Sequence, residues 1–312
     1  MRRRKFLAST ALASFGWGLS SSLATGIIRD HEPALQVHLF SKVLQFLDDQ
    51  ELAEALGKMG FDGADLTVRP KGHVEPARVA EDLPRFTQAL KAVGLQPLMI
   101  TTNILQAADP VAQAVLKVAR DLGYRFYRPA WIKYQAEDAL RKRLVQAKEE
   151  LGRLADLSKT AGITGSYQNH SGHYLGAGIW DLDEALGDIS PRHMGVQYDI
   201  AHATIEGGRN WEVEFRLIQP HITTLAIKDF IWKKTAGIWK VHYVPLGEGM
   251  VDWQRYFSLL KAAGMQPPMS LHAEYDLGGA EDGKQPIMSP SEIFARLKKD
   301  LDWLRKTWQE TE

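Results

Sequence analysis

Five times along this 312-residue chain a helix-forming stretch runs into a glycine, and an apolar segment starts directly after it. The instances are Gly60 before Phe61, Gly94 before Leu95, Gly123 before Tyr124, Gly162 before Ile163 and Gly264 before Met265. Glycine just past a helix takes the left-handed conformation at little steric cost, so each marks a helix C-terminus feeding a strand. Two copies, Lys91 to Met99 and Lys261 to Met269, are alike almost residue for residue. The first four glycines stand 34, 29 and 39 residues apart, the length of one strand plus one helix. The gap of 102 to the last leaves room for about three more such units. Eight strands are therefore expected, near Val37 to Phe40, Gly63 to Val68, Pro97 to Thr101, Phe126 to Ala130, Gly165 to Asn169, Gly195 to Ile200, Thr224 to Phe230 and Met269 to Tyr275. With no dinucleotide-type Gly-x-Gly-x-x-Gly, this alternation predicts an α/β chain folded as a single closed (β/α)8 barrel and no nucleotide cofactor. No Ser-, Pro- or Gly-rich linker divides residues 25–312, which read as one domain.

Residues 1–24 read as a cleavable signal peptide. Arg2, Arg3, Arg4 and Lys5 precede a weakly apolar run from Phe6 to Leu23, and Ser22-Leu23-Ala24 has the small-x-small pattern a signal peptidase cuts. Arg3-Arg4-Lys5-Phe6-Leu7 has the form of a twin-arginine signal, which implies export of an already folded protein to the periplasm or beyond; a general secretory signal is the alternative. Cleavage after Ala24 leaves 34 basic against 38 acidic residues, a mildly acidic chain without the positive field that attracts nucleic acid. The absence of cysteine excludes disulfides, thiolate metal sites and a cysteine nucleophile, so any metal must be held by oxygen and imidazole. Beyond residue 24 no apolar stretch approaches the ~18 residues that span a bilayer, so the mature chain is expected to be free of the membrane. Association into a homo-oligomer is left open.

In a barrel of this kind the chemistry sits at the C-terminal ends of the strands, and side chains alternate between the interior and the helix layer. Alternation puts Gln168 and His170 on one face of the fifth strand, and Ala226 with Lys228 on the seventh. It pairs His272 with Glu274 on the eighth, while Asp199 ends the sixth with His202 one short turn away. Any one of these has a plainer role as a loop cap. Together they put polar or charged groups at four successive strand ends where a purely structural barrel would carry Val, Ile or Leu.

Gly60-Phe61-Asp62-Gly63-Ala64-Asp65-Leu66, Tyr198-Asp199-Ile200-Ala201-His202, Lys228-Asp229, Leu246-Gly247-Glu248-Gly249-Met250-Val251-Asp252-Trp253 and Glu274-Tyr275 resemble the xylose-isomerase-like sugar isomerase/epimerase superfamily of TIM barrels. The likeness covers nearly all of the mature chain. It implies an enzyme acting on a small-molecule carbohydrate, although epimerases, isomerases, dehydratases, keto-glycoside lyases and endonuclease relatives share the barrel. It further implies a divalent metal held by Glu, Asp, His and Glu from strands five to eight, which by position fall on Gln168, Asp199, Ala226 and Glu274. Two of the four depart from the pattern, since Gln168 offers only a neutral oxygen and Ala226 offers nothing. Two arrangements then compete. Asp199, Glu274 and Gln168, completed by His272 or else by His170 or His202, hold Mn²⁺, Mg²⁺ or Zn²⁺, or Lys228 supplies the positive charge itself.

Reactions common to such enzymes begin with removal of a proton next to a carbonyl, which needs a carboxylate base and a cation beside the developing oxyanion. Glu274 is the candidate base, Lys228 or a metal on Asp199 and Glu274 the candidate clamp, and Glu248, between two glycines, a candidate second acid/base. His202, Gln168, His170 and Arg128 are candidate substrate contacts. Trp131 is a further one, since sugar faces stack on aromatic rings, with Trp180 and Trp232 ranked below it. Arg69 and His73 are expected in a loop covering the substrate. Asn169-His170-Ser171-Gly172-His173 matches no zinc-protease spacing, and no Gly-x-Ser-x-Gly elbow supports a serine hydrolase. Absence of a phosphate-cradling glycine loop favours an unphosphorylated sugar or keto-sugar. The readings carried forward are an exported isomerase or epimerase, a lyase eliminating from a keto-glycoside, and a non-catalytic sugar-binding barrel.

Overall fold

A computed structural model describes residues Leu35–Glu312; the signal peptide expected over residues 1–24 lies outside the described residues. Eight parallel strands close into a barrel: β1 (Val37–Phe40), β2 (Gly63–Val68), β3 (Met99–Thr102), β4 (Phe126–Arg128), β5 (Thr164–Gln168), β6 (Met194–Asp199), β7 (Ile222–Ile227) and β10 (Met269–Leu271). Neighbours in sequence pair in space, and β10 closes the ring on β1 with Val37 opposite Met269. β8 (Asp229–Thr235) and β9 (Ile238–Val244) form a separate antiparallel hairpin between β7 and the helix before β10.

The five glycines sit where the sequence places them. Their φ angles are 88° at Gly60, 82° at Gly94, 105° at Gly123, 70° at Gly162 and 64° at Gly264, each just past a helix. Those helices are α1 (Asp49–Met59), α2 (Val79–Ala92), α3 (Pro110–Leu122), α4 (Leu140–Ala161) and α8 (Trp253–Ala262). The outer layer also contains α5 (Ile179–Leu186), α6 (Ile200–Gly207), α7 (Trp211–Ile218) and α9 (Pro290–Glu310). Among the described residues no helix is long and apolar enough to cross a membrane.

Of the strands that end before their expected limits, two matter for the site. The barrel strand expected to reach Phe230 stops at Ile227, and the one expected to reach Tyr275 stops at Leu271. The chain turns out of the barrel at both places, which frees Lys228 and Glu274 from ladder pairing. Asp229 fixes the first departure. Its carboxylate accepts the amides of Phe230 (2.8 Å), Gly247 (3.0 Å), Gly249 (3.2 Å) and Val251 (3.2 Å), and the Trp253 indole N–H (2.9 Å). One buried side chain thereby gathers the hairpin base, the loop after it and the start of α8, and satisfies donors that burial would otherwise leave unpaired.

Inside the barrel Asp65 on β2 accepts the Thr101 hydroxyl of β3 (2.9 Å) and the Ser270 hydroxyl of β10 (2.7 Å). These bonds tie strands on both sides of the β1–β2 seam beneath the open end. The surrounding core is apolar and continuous from Leu35 to Trp308.

Candidate active site

Above that layer a cavity of about 440 Å³ opens at the C-terminal ends of the strands, within the range of small-molecule sites. Its walls bring together most of the residues singled out from the sequence: Arg69, Arg128, Trp131, Gln168, His170, Lys228, His272 and Glu274. Asp199 and His202 lie beneath them, buried.

Lys228 is the centre of the cluster. Its side chain is 2% exposed, and its ammonium lies 3.2 Å from Asp199 Oδ2, 3.2 Å from Glu274 Oε2 and 2.7 Å from His202 Nε2. Burial works against its charge, but Asp199 and then Glu274 hold its pKa above the usual lysine value. Burial likewise opposes ionisation of both carboxylates, yet the Lys228 charge and the His202 main-chain N–H draw Asp199 below its ordinary range, and Lys228 draws Glu274 well below its own. All three groups are therefore charged at neutral pH. His202 is kept neutral, because burial lowers its pKa well below the imidazole value. Since Nε2 accepts from Lys228, the proton is on Nδ1 and is donated to the Ser171 hydroxyl at 2.9 Å.

Asp199 is pinned from every side. Its Oδ1 accepts the His202 amide (3.0 Å), capping α6, and its Oδ2 accepts the Gln168 amide N–H (2.8 Å). Asn169 holds its main chain from both ends, donating to the Asp199 carbonyl (3.0 Å) and accepting from the Asp199 amide (2.7 Å). The Gln168 carbonyl oxygen accepts from Arg128. Glu274, with its side chain 22% exposed, is the most exposed member of the ion-pair cluster and lines the cavity beside Lys228.

The residues present do not fit a divalent metal. The two carboxylates that would carry it already share the Lys228 ammonium, Gln168 has turned its oxygen to Arg128 and its N–H to Asp199, and Ala226 brings a methyl group beside Asp199. His272, expected as a ligand, faces Ser270 Oγ with Nε2 (3.1 Å) and stacks on Phe40 at 4.4 Å. Among the described residues no group of three or more His, Asp or Glu is placed to hold a metal ion. Of the two arrangements open in the sequence, the geometry is that of the built-in cation.

Several expected contacts fall elsewhere. Glu248 is not brought to the site: the Gly247 and Gly249 amides turn inward to Asp229, which leaves Glu248 outside, paired with Lys299 at 2.9 Å. His73 is no loop cover but packs against Phe86 and bonds to Ser41, Thr67 and the Leu44 carbonyl. Trp180 and Trp232 are largely exposed and do not line the cavity, whereas Trp131 meets His170 edge-on at 4.6 Å and Arg128 at 4.4 Å. Residues not singled out also contribute. Tyr243 from β9 presents its ring 4.9 Å from the Lys228 ammonium, and Lys42 and Phe40 reach the cavity from the β1 end.

The family model described as xylose isomerase-like TIM barrel matches residues 53–307. An inosose dehydratase from Geobacillus thermodenitrificans is 25% identical over 147 residues, 40% of this chain and 45% of that protein, so the alignment spans less than half of the relative. The 3-keto-D-glucoside 4-epimerase of E. coli superposes with a TM-score of 0.63 at 15% identity, covering 87% of this chain and 99% of that one. A xylose isomerase-like TIM barrel protein from Mycobacterium smegmatis, solved in complex with magnesium, superposes with a TM-score of 0.60 at 14% identity, covering 86% and 98%. At these identities the superpositions speak for the fold.

Proposed function

Because the chain belongs to the xylose isomerase-like TIM barrel family, we propose that it is an exported enzyme that isomerises or epimerises an unphosphorylated sugar or keto-sugar by removing a proton next to a carbonyl. One observation carries this reading: the Lys228 ammonium held at 3.2 Å from both Asp199 and Glu274 at the floor of a monosaccharide-sized cavity. A substrate carbonyl directed at Lys228 places its neighbouring carbon within reach of Glu274. The C–H bond breaks, the proton passes to a Glu274 oxygen, and the electron pair moves to the carbonyl oxygen as an enediolate. Negative charge thus leaves the carboxylate and appears on the substrate while Lys228 stays paired throughout, so the net charge around the ammonium does not change during the step. Neutral His202 and Asp199 keep the ammonium in place. Return of the proton to the former carbonyl carbon, with the hydroxyl proton passing between the two oxygens, gives an isomer. Delivery of a proton from solvent to the opposite face of the original carbon gives an epimer, while Glu274 later releases its own proton.

Loss of a β-substituent from the same enediolate gives elimination, and the similarity to an inosose dehydratase favours keeping this as the second reading. Export rests on the basic N-terminus and the run from Phe6 to Leu23, and it supports a substrate met outside the cytoplasm, where sugar phosphates are scarce. The test is deuterium uptake from heavy water by a panel of ketohexoses and keto-glycosides, followed by NMR. Wild type should label the carbon next to the carbonyl and Glu274→Gln should label it about 10²–10⁴-fold more slowly. Equal rates would remove Glu274 as the base. Saturable sugar binding without labelling would leave the barrel as a binding protein.

A further inference from the structure

Three cations reach the same cavity without an ion-pair partner among the described residues. Arg128, at the end of β4, is 4% exposed; among the described residues its side chain hydrogen-bonds only to the neutral Gln168 amide, and its Nε has no acceptor. Its guanidinium lies over Trp131 at 4.4 Å and 5.7 Å from the Phe40 ring centre. Arg69, just past β2, stands 5.5 Å from that same ring centre, so Phe40 gathers both guanidiniums, and Lys42 joins them on the cavity wall. The carboxylates nearby are engaged elsewhere. Glu281 accepts the Leu277 and Gly279 amides, Asp282 pairs with Lys284 at 2.7 Å, Asp65 holds Thr101 and Ser270, and Asp199 and Glu274 hold Lys228.

A buried guanidinium without a direct ion pair is costly: burial lowers the pKa of Arg128 to about 10, with the Asp65 carboxylate offsetting part of the loss and Arg69 adding its repulsion. Hydroxyl groups of a neutral sugar could accept hydrogen bonds from these donors yet leave the charge uncompensated. We propose that the substrate is a sugar acid whose carboxylate sits against Arg128 and Arg69, with Lys42 at its edge, while its carbonyl faces Lys228. A planar carboxylate matches the two-pronged donor edge of a guanidinium. Among the described residues no glycine lines the cavity to enclose the third oxygen of a phosphate. This inference rests on the proposed enzymatic reading for the role of Lys228, and on the cavity alone for the anion.

Titration calorimetry on the exported-length chain tests it with matched pairs: D-glucuronate with D-glucose, D-galacturonate with D-galactose and D-mannuronate with D-mannose, plus glucose 6-phosphate. At least one acid is expected to bind about 10- to 100-fold more tightly than its neutral partner, the scale of a charge-assisted hydrogen bond. Arg69→Gln, at a partly exposed position that leaves the core intact, should weaken binding of the acid more than that of its neutral partner and so shrink that advantage. Equal affinity within every pair overturns the proposal, as does an equal loss for acid and neutral sugar in Arg69→Gln. Tighter binding of glucose 6-phosphate than of any acid overturns the choice of carboxylate. Deuterium uptake separates the two readings: neutral keto-sugars labelled with no advantage for acids refute the sugar acid alone, and acids bound without labelling refute the enzyme alone.

Discussion

Replacing Lys228 by Met removes the charge and keeps most of the apolar volume, so its consequences are those of the ammonium. In the native chain that group faces two carboxylates at 3.2 Å each, with itself 2% and Asp199 0% exposed. At an effective dielectric near 20 each contact is worth about 5 kcal/mol of Coulomb energy, most of it offset by desolvation. Breaking such a buried pair typically costs about 3–5 kcal/mol because uncompensated charge remains. For a chain of this length the loss corresponds to a fall in Tm of about 5–10 °C. The pH dependence separates this account from a general packing defect. In wild type the depressed pKa values of Asp199 and Glu274 contribute stability above the unfolded carboxylate range, and that stability is lost as pH falls through their folded values. In Lys228→Met burial and mutual repulsion raise at least one of these pKa values, so the folded variant takes up a proton that the unfolded chain does not, and stability is lost as pH rises. The gap in Tm between the two proteins should therefore be wider at pH 8 than at pH 5. Scanning calorimetry at both values decides the matter. An unchanged Tm at pH 8, or the same deficit at both, would refute the electrostatic account.

Asn169→Ala strips both main-chain partners from Asp199, and with two buried groups unpaired it should cost about 2–4 kcal/mol in urea unfolding and slow labelling further than its stability loss explains. Gly249→Ala places a Cβ 2.0 Å from Asp229 Oδ1 and 2.6 Å from the Phe230 carbonyl, so the loop gathered on Asp229 must open, and amide exchange should quicken at Phe230 and Val251 while the barrel strands stay protected. Wild type should show no saturable binding of Mn²⁺ or Mg²⁺ by calorimetry, whereas Lys228→Ala, with Asp199 and Glu274 released, should acquire weak binding; tight binding to wild type would contradict the ammonium's occupancy of the site.

The barrel was readable because its punctuation is chemical: a glycine at positive φ after a helix and an apolar strand after the glycine are local signals that need no tertiary partner to be recognised. Alternation along strands also gave the right face for Gln168, Lys228 and His272. The hairpin of β8 and β9 was hidden for a physical reason. Its two-residue turn places Ala236 at φ 49° and Gly237 at φ 84°, and alanine is not the Asn or Asp that ordinarily announces such a turn. Without the hairpin Tyr243 could not be connected to Lys228. Glu248 shows the opposite failure. Its two glycine neighbours suggested close approach to a substrate, but the approach they allow is that of their own amides to Asp229.

The same contrast explains how two departures from one pattern amount to a single change. Taken separately, Gln168 and Ala226 read as lost ligands of a decaying site. In the folded chain Ala226 is in register with Asp199, and two residues further on the strand gives way to a lysine whose ammonium reaches both remaining carboxylates. A neutral amide at 168 then suits the charge count. Asp199 and Glu274 share the one ammonium and leave Arg128 without a direct ion pair, whereas a third carboxylate in place of Gln168 would pair with Arg128 and remove the unpaired cation from the cavity. The substitutions that depart from the metal pattern are thus the ones that leave Arg128 available to an anion. For that reason Gln168→Glu should weaken binding of a sugar acid while leaving Lys228, Asp199 and Glu274 in place.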